Sequence, residues 1–413
     1  MAFHRAFTFG TAVSAALLFA GVAAMAQPVA PGPAGAAFYT PPQPLPKGPR
    51  GSVIWTRSFD GTMALPSAAR TELVLYRSTD AQGRIVPVTG TVSIPKGDAP
   101  KGGWPVITWA HGTTGLAPAC APSLDDANGP EHPYIVIIRT LLDGFVAKGY
   151  AVAASDYQGL GVAGFQPFLQ GVPTGRNTLD MLRAARGIEP KIGKRYAVMG
   201  HSQGGHVDLF AAAQGPAYVP EFKLLGNVAF APGSQIAGRL AAVMKSDKVE
   251  LSLPYVLYVL QSYATNHPAI DLKRILTPQA IAQLPVLMDG CMTKALTVGY
   301  WSTAIAKDQF VAKPDLAAFL RVAAQNEPGA LRIAAPTMVV QGKADVTVFP
   351  KDTDTTVRAL CAKGNAIDYM PVAGADHNGS MKLGAQAARD FIDARFAAKK
   401  ATSNCKALPK AGE

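Results

Sequence analysis

The sequence predicts an α/β protein: a mostly parallel sheet with helices on both faces and an inserted helical cap. Beyond residue 105, short apolar runs alternate with amphipathic helical stretches, the pattern of a parallel sheet covered on both sides. One strand-to-helix junction reads Gly200-His201-Ser202-Gln203-Gly204-Gly205, the Gly-x-Ser-x-Gly spacing of a sharp turn with an exposed serine. Between residues 233 and 334 the alternation gives way to a mainly helical block inserted between two strands.

In chain order, residues 1–26 read as an export leader. His4 and Arg5 give a modest positive start, 12–22 is an uncharged apolar run, and Ala24-Met25-Ala26 fits cleavage after Ala26. That run is short of the roughly 20 apolar residues a bilayer needs, and no later stretch reaches it. The mature protein is expected to be soluble and secreted or periplasmic. Residues 27–50 form a Pro-rich arm. From 51 to 233 runs the first part of the core, opened by alternating strands at 71–76 and 87–94 around an Asp80–Gly83 turn. Buried strands follow at 106–110, 151–154 and 195–199, with helices at 134–148, 178–187 and after Val207. A strand at 227–231 precedes the cap, 234–334, whose stretch 251–258 is strongly apolar; most of these residues are expected to be the cap's own core. Residues 335–413 complete the core with strands at 337–340 and 367–370 and a helix at 385–396.

Bulk properties narrow the function classes. Of the 413 residues 48% are hydrophobic, enough for a large core and too many for wholesale disorder. The formal charge is +11, and +10 once Arg5 leaves with the leader. The basic residues are scattered, without the focused patch that nucleic acid requires. Four cysteines in an exported chain imply two disulfides, with three connectivities open. None has zinc-site spacing, so no metal is expected, and the chemistry of an exposed serine needs no organic cofactor.

The serine turn sets the chemistry. Gly200 and Gly204 avoid collisions around a strained Ser202, Gly205 lets the helix approach the sheet, and the helix N-terminus offers unpaired N–H groups. A serine hydroxyl needs a base, and the base an orienting acid. His4 leaves with the leader, His111, His132, His201 and His206 belong to other motifs, and His267 lies in the cap. His377 sits in a glycine-punctuated loop after a late strand and is the expected base. Asp345, at the C-terminal end of the strand around 338–341, is the expected acid. Asp376 adjoins His377 too closely in sequence to face its Nδ1. The order Ser202, Asp345, His377 is that of α/β-hydrolases. His111-Gly112-Thr113-Thr114-Gly115 follows an early strand, where the oxyanion loop is placed. Thr113 N–H and Gln203 N–H are the expected donors, with Thr114 the alternative to Thr113. Tyr157, after another strand, either lines an acyl pocket or supports a neighbour.

Four motifs together resemble the secretory lipases, a family of α/β-hydrolases with fungal lipase A-like and bacterial members. They are residues 109–115 (Trp-Ala-His-Gly-Thr-Thr-Gly), 120–123 (Cys-Ala-Pro-Ser), 156–159 (Asp-Tyr-Gln-Gly) and 200–205. The arm with Phe38-Tyr39 and the helical insertion fit as well. The resemblance implies a capped α/β-hydrolase fold with a Ser202–Asp345–His377 triad, and it suggests pairing Cys120 with Cys291 and Cys361 with Cys405. The His-Gly-Thr-Thr-Gly loop departs from the fungal members.

The expected protein is an exported serine hydrolase cleaving carboxylic esters through an acyl-enzyme, a lipase or esterase. The apolar cap suggests lipid or short acyl esters as substrates, with peripheral contact with lipid surfaces and no nucleic acid among its partners. A peptidase of the same fold would need a cap acid such as Glu250 or Asp271 to anchor a substrate amine. A non-catalytic binding protein would retain the fold and fail to react with a fluorophosphonate.

Overall fold

A computed structural model describes residues 1–2, 4 and 29–408. The expected cleavage after Ala26, and nearly all of the leader, lie outside the described residues. Nine strands form one sheet: β1 Val53–Ser58, β2 Ala68–Thr79, β3 Ile85–Pro95, β4 Trp104–Ala110, β5 Ala151–Ser155, β6 Ile192–His201, β7 Lys223–Phe230, β8 Thr337–Gly342 and β9 Ile367–Val372. Their spatial order is β1-β2-β3-β5-β4-β6-β7-β8-β9. The edge β1-β2-β3 and the β3–β5 pair are antiparallel, and every pairing from β5 to β9 is parallel. Every residue of β5 and β8 is buried, as strands covered on both faces must be.

The α-helices are α1 His132–Val146, α2 Gly171–Ile188, α3 Gln203–Tyr218, α4 Ile236–Val243, α5 Leu253–Asn266, α6 Pro278–Met288, α7 Met292–Thr297, α8 Ala317–Gln325, α9 Pro350–Ala362 and α10 Gly379–Phe396. One face of the sheet packs against α1 and α10 through Trp109, Phe145, Met199, Phe230 and Ile392. The other meets α2 and α3 through Tyr76, Val106, Leu182, Val198 and Ala211. In α1 the apolar residues Ile135, Ile138, Leu142 and Phe145 recur at helical spacing and are all buried.

The helix expected at 178–187 begins a full two turns earlier, at Gly171. Glycine, proline and buried polar residues mask the helical pattern there. The glycines serve close packing: a Cβ on Gly171 would lie 2.2 Å from the Phe210 ring, and one on Gly175 2.3 Å from Gln214, both on α3. The Pro-rich arm docks on β1. Gly32 N–H donates to Thr56 O at 2.8 Å, Trp55 Nε1 donates to Phe38 O at 3.2 Å, and the Phe38 ring is buried.

Between β7 and β8, helices α4 to α8 have a core of their own built on Leu253, Leu257, Tyr258, Tyr263, Trp301 and Phe319. Leu116, Phe168 and Leu169, from loops at the top of the sheet, join it. The disulfides pair Cys120 with Cys291 and Cys361 with Cys405. The first ties the loop after β4 to the start of α7. The second fastens the end of the described chain to α9. Among the described residues no helix is long and apolar enough to cross a membrane.

Candidate active site

Ser202 stands between β6 and α3 with φ 60° and ψ −118°, a backbone conformation that a serine enters only under strain, at a cost of about 1–3 kcal/mol. Its neighbours explain how the strain is borne. A Cβ on Gly200 would lie 2.1 Å from Gly204 O, and one on Gly204 1.9 Å from Ala110 O, so both positions exclude any side chain. Ser202 N–H donates to Phe230 O at 2.9 Å and Ser202 O accepts Gly233 N–H at 2.9 Å, fixing the turn to the end of β7.

His377 lies between β9 and α10, and its Nδ1 is 2.7 Å from Asp345 Oδ2. Asp345, buried just beyond β8, is a well-satisfied acceptor. Its Oδ1 takes the N–H groups of Thr347 at 2.8 Å and Val348 at 2.9 Å, and Oδ2 takes Gln341 Nε2 at 3.1 Å. Gln341 is in turn held by Thr353 Oγ1, which donates to its Oε1 at 2.7 Å. Asp376 faces elsewhere: its Oδ1 accepts Gly379 N–H at 2.6 Å at the start of α10. The His201 ring, adjacent in sequence to Ser202, packs on the His377 ring with centroids 4.5 Å apart. Ser202 Oγ makes no hydrogen bond among the described residues; such contacts commonly tighten only with substrate bound.

Ser202, Gln203 and Thr113 share the wall of one cavity of about 80 Å³. The rest of that wall is mostly apolar, with Phe168, Ile236, Tyr255, Val256, Val259 and Phe319 brought together from the sheet-top loop and from α4, α5 and α8. Two ionic groups reach it, Arg239 and Asp352, and they pair with each other at 2.5 Å. Neither Glu250 nor Asp271 lines it. Glu250 accepts the Ser246 hydroxyl, and Asp271 caps a turn at Lys273 N.

The loop after β4 is held from several sides. Tyr157 Oη donates to His111 O at 2.9 Å and its ring stacks on the His111 imidazole at 4.3 Å. Tyr157 is therefore a support, fully buried, and does not line the cavity. Both His111 nitrogens face carbonyls, Gly112 O at 2.6 Å and Asp156 O at 3.1 Å. Burial pushes the His111 pKa down to about 4, so the ring is neutral and serves one carbonyl; the shorter contact, from Nδ1 to Gly112 O, takes the proton. Asp156 is also buried, which pushes its carboxyl up to about 6. Three donors oppose that shift: Ser123 N–H, Ser123 Oγ and Thr89 Oγ1.

Sequence reasoning missed Gln341 and Tyr134. Gln341 is a strand residue with no motif around it. Tyr134 looks like an ordinary first-turn residue of α1, yet its hydroxyl reaches Gly112 and His201.

The secretory lipase family matches residues 134–404. Lipase A of Moesziomyces aphidis is 28% identical over 204 residues, 48% of this chain and 42% of that protein, so the matched region spans less than half of that relative's length. A probable inactive lipase of Mycobacterium tuberculosis is 24% identical over 89% of this chain and 83% of its own length. Among solved structures, Candida antarctica lipase A superposes with a TM-score of 0.76 at 20% identity, covering 89% of this chain and 86% of that one. With the family matched over well more than half its length, and the parallel sheet and serine turn of an α/β-hydrolase, the chain belongs to the secretory lipases, a family of ester hydrolases.

Proposed function

We propose that this chain is an exported serine hydrolase that cleaves carboxylic esters of apolar acids through an acyl-enzyme, with Ser202 as nucleophile, His377 as base and Asp345 as its orienting acid. The observation that carries the reading is the 2.7 Å contact of His377 Nδ1 with Asp345 Oδ2; a strained Ser202 on the wall of an apolar cavity supports it. Asp345 accepts the Nδ1 proton, which leaves Nε2 as the basic nitrogen. Ser202 Oγ adds to the ester carbonyl while His377 Nε2 takes its proton. The Thr113 and Gln203 N–H groups hold the oxyanion. Collapse expels the alcohol, which receives the proton from His377, and water then repeats the sequence to release the acid. The apolar wall from α4, α5 and α8 takes the acyl chain. Export is supported by the family and by two disulfides, bonds that persist in oxidising compartments.

The test is hydrolysis of p-nitrophenyl esters from acetate to palmitate by the wild type and by Ser202→Ala, with labelling by a fluorophosphonate in parallel. Turnover and labelling in the wild type are expected, both abolished in the variant. Labelling without ester turnover would move the reading to amide substrates. Loss of both in the wild type would overturn the triad assignment.

A further inference from the structure

The Tyr134 hydroxyl lies between two of the loops that compose the site. It accepts the Gly112 N–H at 2.8 Å and is 2.9 Å from His201 Nδ1. The other ring nitrogen, His201 Nε2, is 3.1 Å from the carbonyl oxygen of His377. A carbonyl only accepts, so Nε2 carries the proton. A neutral imidazole has one N–H, so Nδ1 is an acceptor and the Tyr134 O–H donates to it. Burial, with the facing His377 second, holds the His201 pKa well below its ordinary value and keeps the ring neutral. The proton directions are thus fixed along the whole chain, from Gly112 N–H to Tyr134 O–H to His201, and from His201 Nε2–H to His377 O.

The surroundings are shaped to this arrangement. A Cβ on Gly112 would lie 2.2 Å from the Tyr134 hydroxyl oxygen, so the hydroxyl can approach only because residue 112 is glycine. With the His111 carbonyl held by Tyr157 and the Gly112 carbonyl by the His111 ring, Tyr134 holds the third of the four polar groups in the two peptides flanking Gly112. The fourth is Thr113 N–H, which in a trans peptide points away from the Gly112 carbonyl. It makes no hydrogen bond among the described residues.

We infer that Tyr134 is a positioning residue for ester hydrolysis, its hydroxyl holding the Thr113 N–H and the His377 loop in one register through Gly112 and His201. This rests on the triad and oxyanion roles proposed above. Tyr134→Phe keeps the ring and removes both hydrogen bonds. Per fluorophosphonate-titrated site, kcat on p-nitrophenyl butyrate is expected to fall about tenfold to a hundredfold, less than the loss of an oxyanion donor outright, with KM nearly unchanged. The inhibition constant of an alkyl trifluoromethyl ketone, whose adduct carries an oxyanion, is expected to rise by the factor by which kcat/KM falls. His201→Phe cuts the second link, and in the double variant the loss is expected to be close to that of the larger single one, because the two act in one chain. Unchanged kcat per titrated site in Tyr134→Phe, or additive losses, would overturn the inference. If Tyr134→Phe does not fold, His201→Phe decides by the same kcat and KM readout. A wild type that neither turns over nor labels would overturn the triad as well, a result distinct from a working wild type indifferent to the Tyr134 hydroxyl.

Discussion

Ser202, Thr113 and His377 stand on loops held by side-chain hydrogen bonds and by glycines that tolerate no Cβ, whereas the helices above them meet the cavity with Ile236, Val256, Val259 and Phe319, which contribute packing alone. The two regions answer different physical demands. For the proposed ester hydrolysis, transition-state charge is stabilised by dipoles fixed in advance, and directional contacts and close backbone approach fix them in the floor of the cavity. An acyl chain needs volume and dryness, which many combinations of apolar side chains supply. The floor should therefore respond to single atoms in kcat, and the roof to volume in substrate preference.

The largest effect should come from a near-isosteric change in the floor. Asp345→Asn keeps an oxygen for the Thr347 and Val348 N–H groups but no longer fixes the proton on His377 Nδ1. A loss of about 10⁴ in kcat is expected with KM little changed, since the wrong tautomer leaves binding intact, while Tm falls modestly because the new NH2 group meets the Gln341 Nε2 donor. A comparable rise in KM would mean that the carboxylate supports the cavity itself. Next come the disulfides, which separate the regions directly. Opening Cys120–Cys291, whose ends are 171 positions apart, should cost about 5 kcal/mol, and opening Cys361–Cys405, 44 positions apart, about 4 kcal/mol. The first bond sits where the roof grips the loop after β4, since Met292 N–H also donates to Thr114 O at 2.9 Å. Serine at both ends of that bond should lower kcat as well as Tm. Serine at Cys361 and Cys405 should lower Tm alone.

The same contrast governs what could be read from the chain. The serine turn is legible because Gly200, Ser202 and Gly204 fall in one short stretch at a fixed spacing, even though the atom that excludes a Cβ at Gly204 is Ala110 O on β4. Asp345 and His377 are legible as polar residues on loops directly after buried strands, and the strand pattern was clear because parallel strands are apolar throughout. Gln341 and Tyr134 take their roles from contacts that no local pattern marks: Gln341 is held toward Asp345 by Thr353, 12 positions on, and Tyr134 meets Gly112 and His201, 22 and 67 positions away. The start of α2 was hidden for a related reason. Gly171 and Gly175 are poor helix formers in isolation, and they are there because α3 passes too close for a side chain. The roof was legible only as apolar and helical, since its residues are chosen by volume.

Asp156 offers a smaller test, on stability. Its folded pKa is raised to about 6 by burial, against 3.8 for the free side chain, so the folded state holds this proton more tightly than the unfolded one. The sign follows from linkage: stability from this group is greatest below the unfolded pKa and falls as pH rises through the folded one, by roughly 3 kcal/mol in all. Asp156→Asn should flatten that part of the profile, so that the variant gains on the wild type between about pH 4 and 6.5 in urea midpoints. A constant gap across that range would show that the Ser123 and Thr89 donors offset the burial.

The smallest effect, and the sharpest on the roof, should come from Val259→Phe. Val259 lines the cavity from α5 and belongs to the apolar core of the roof. A larger side chain there takes up part of about 80 Å³ and leaves Ser202, Thr113 and His377 as they are. Turnover of the acetate ester should stay within about twofold of wild type. Longer acyl chains should then lose roughly 1–3 kcal/mol of transition-state binding for each methylene that no longer fits, and the preference should move to shorter esters. A uniform fall in kcat across all chain lengths would mean that the roof also sets the floor's geometry, and the division between the two regions would fail at the very residue chosen to show it.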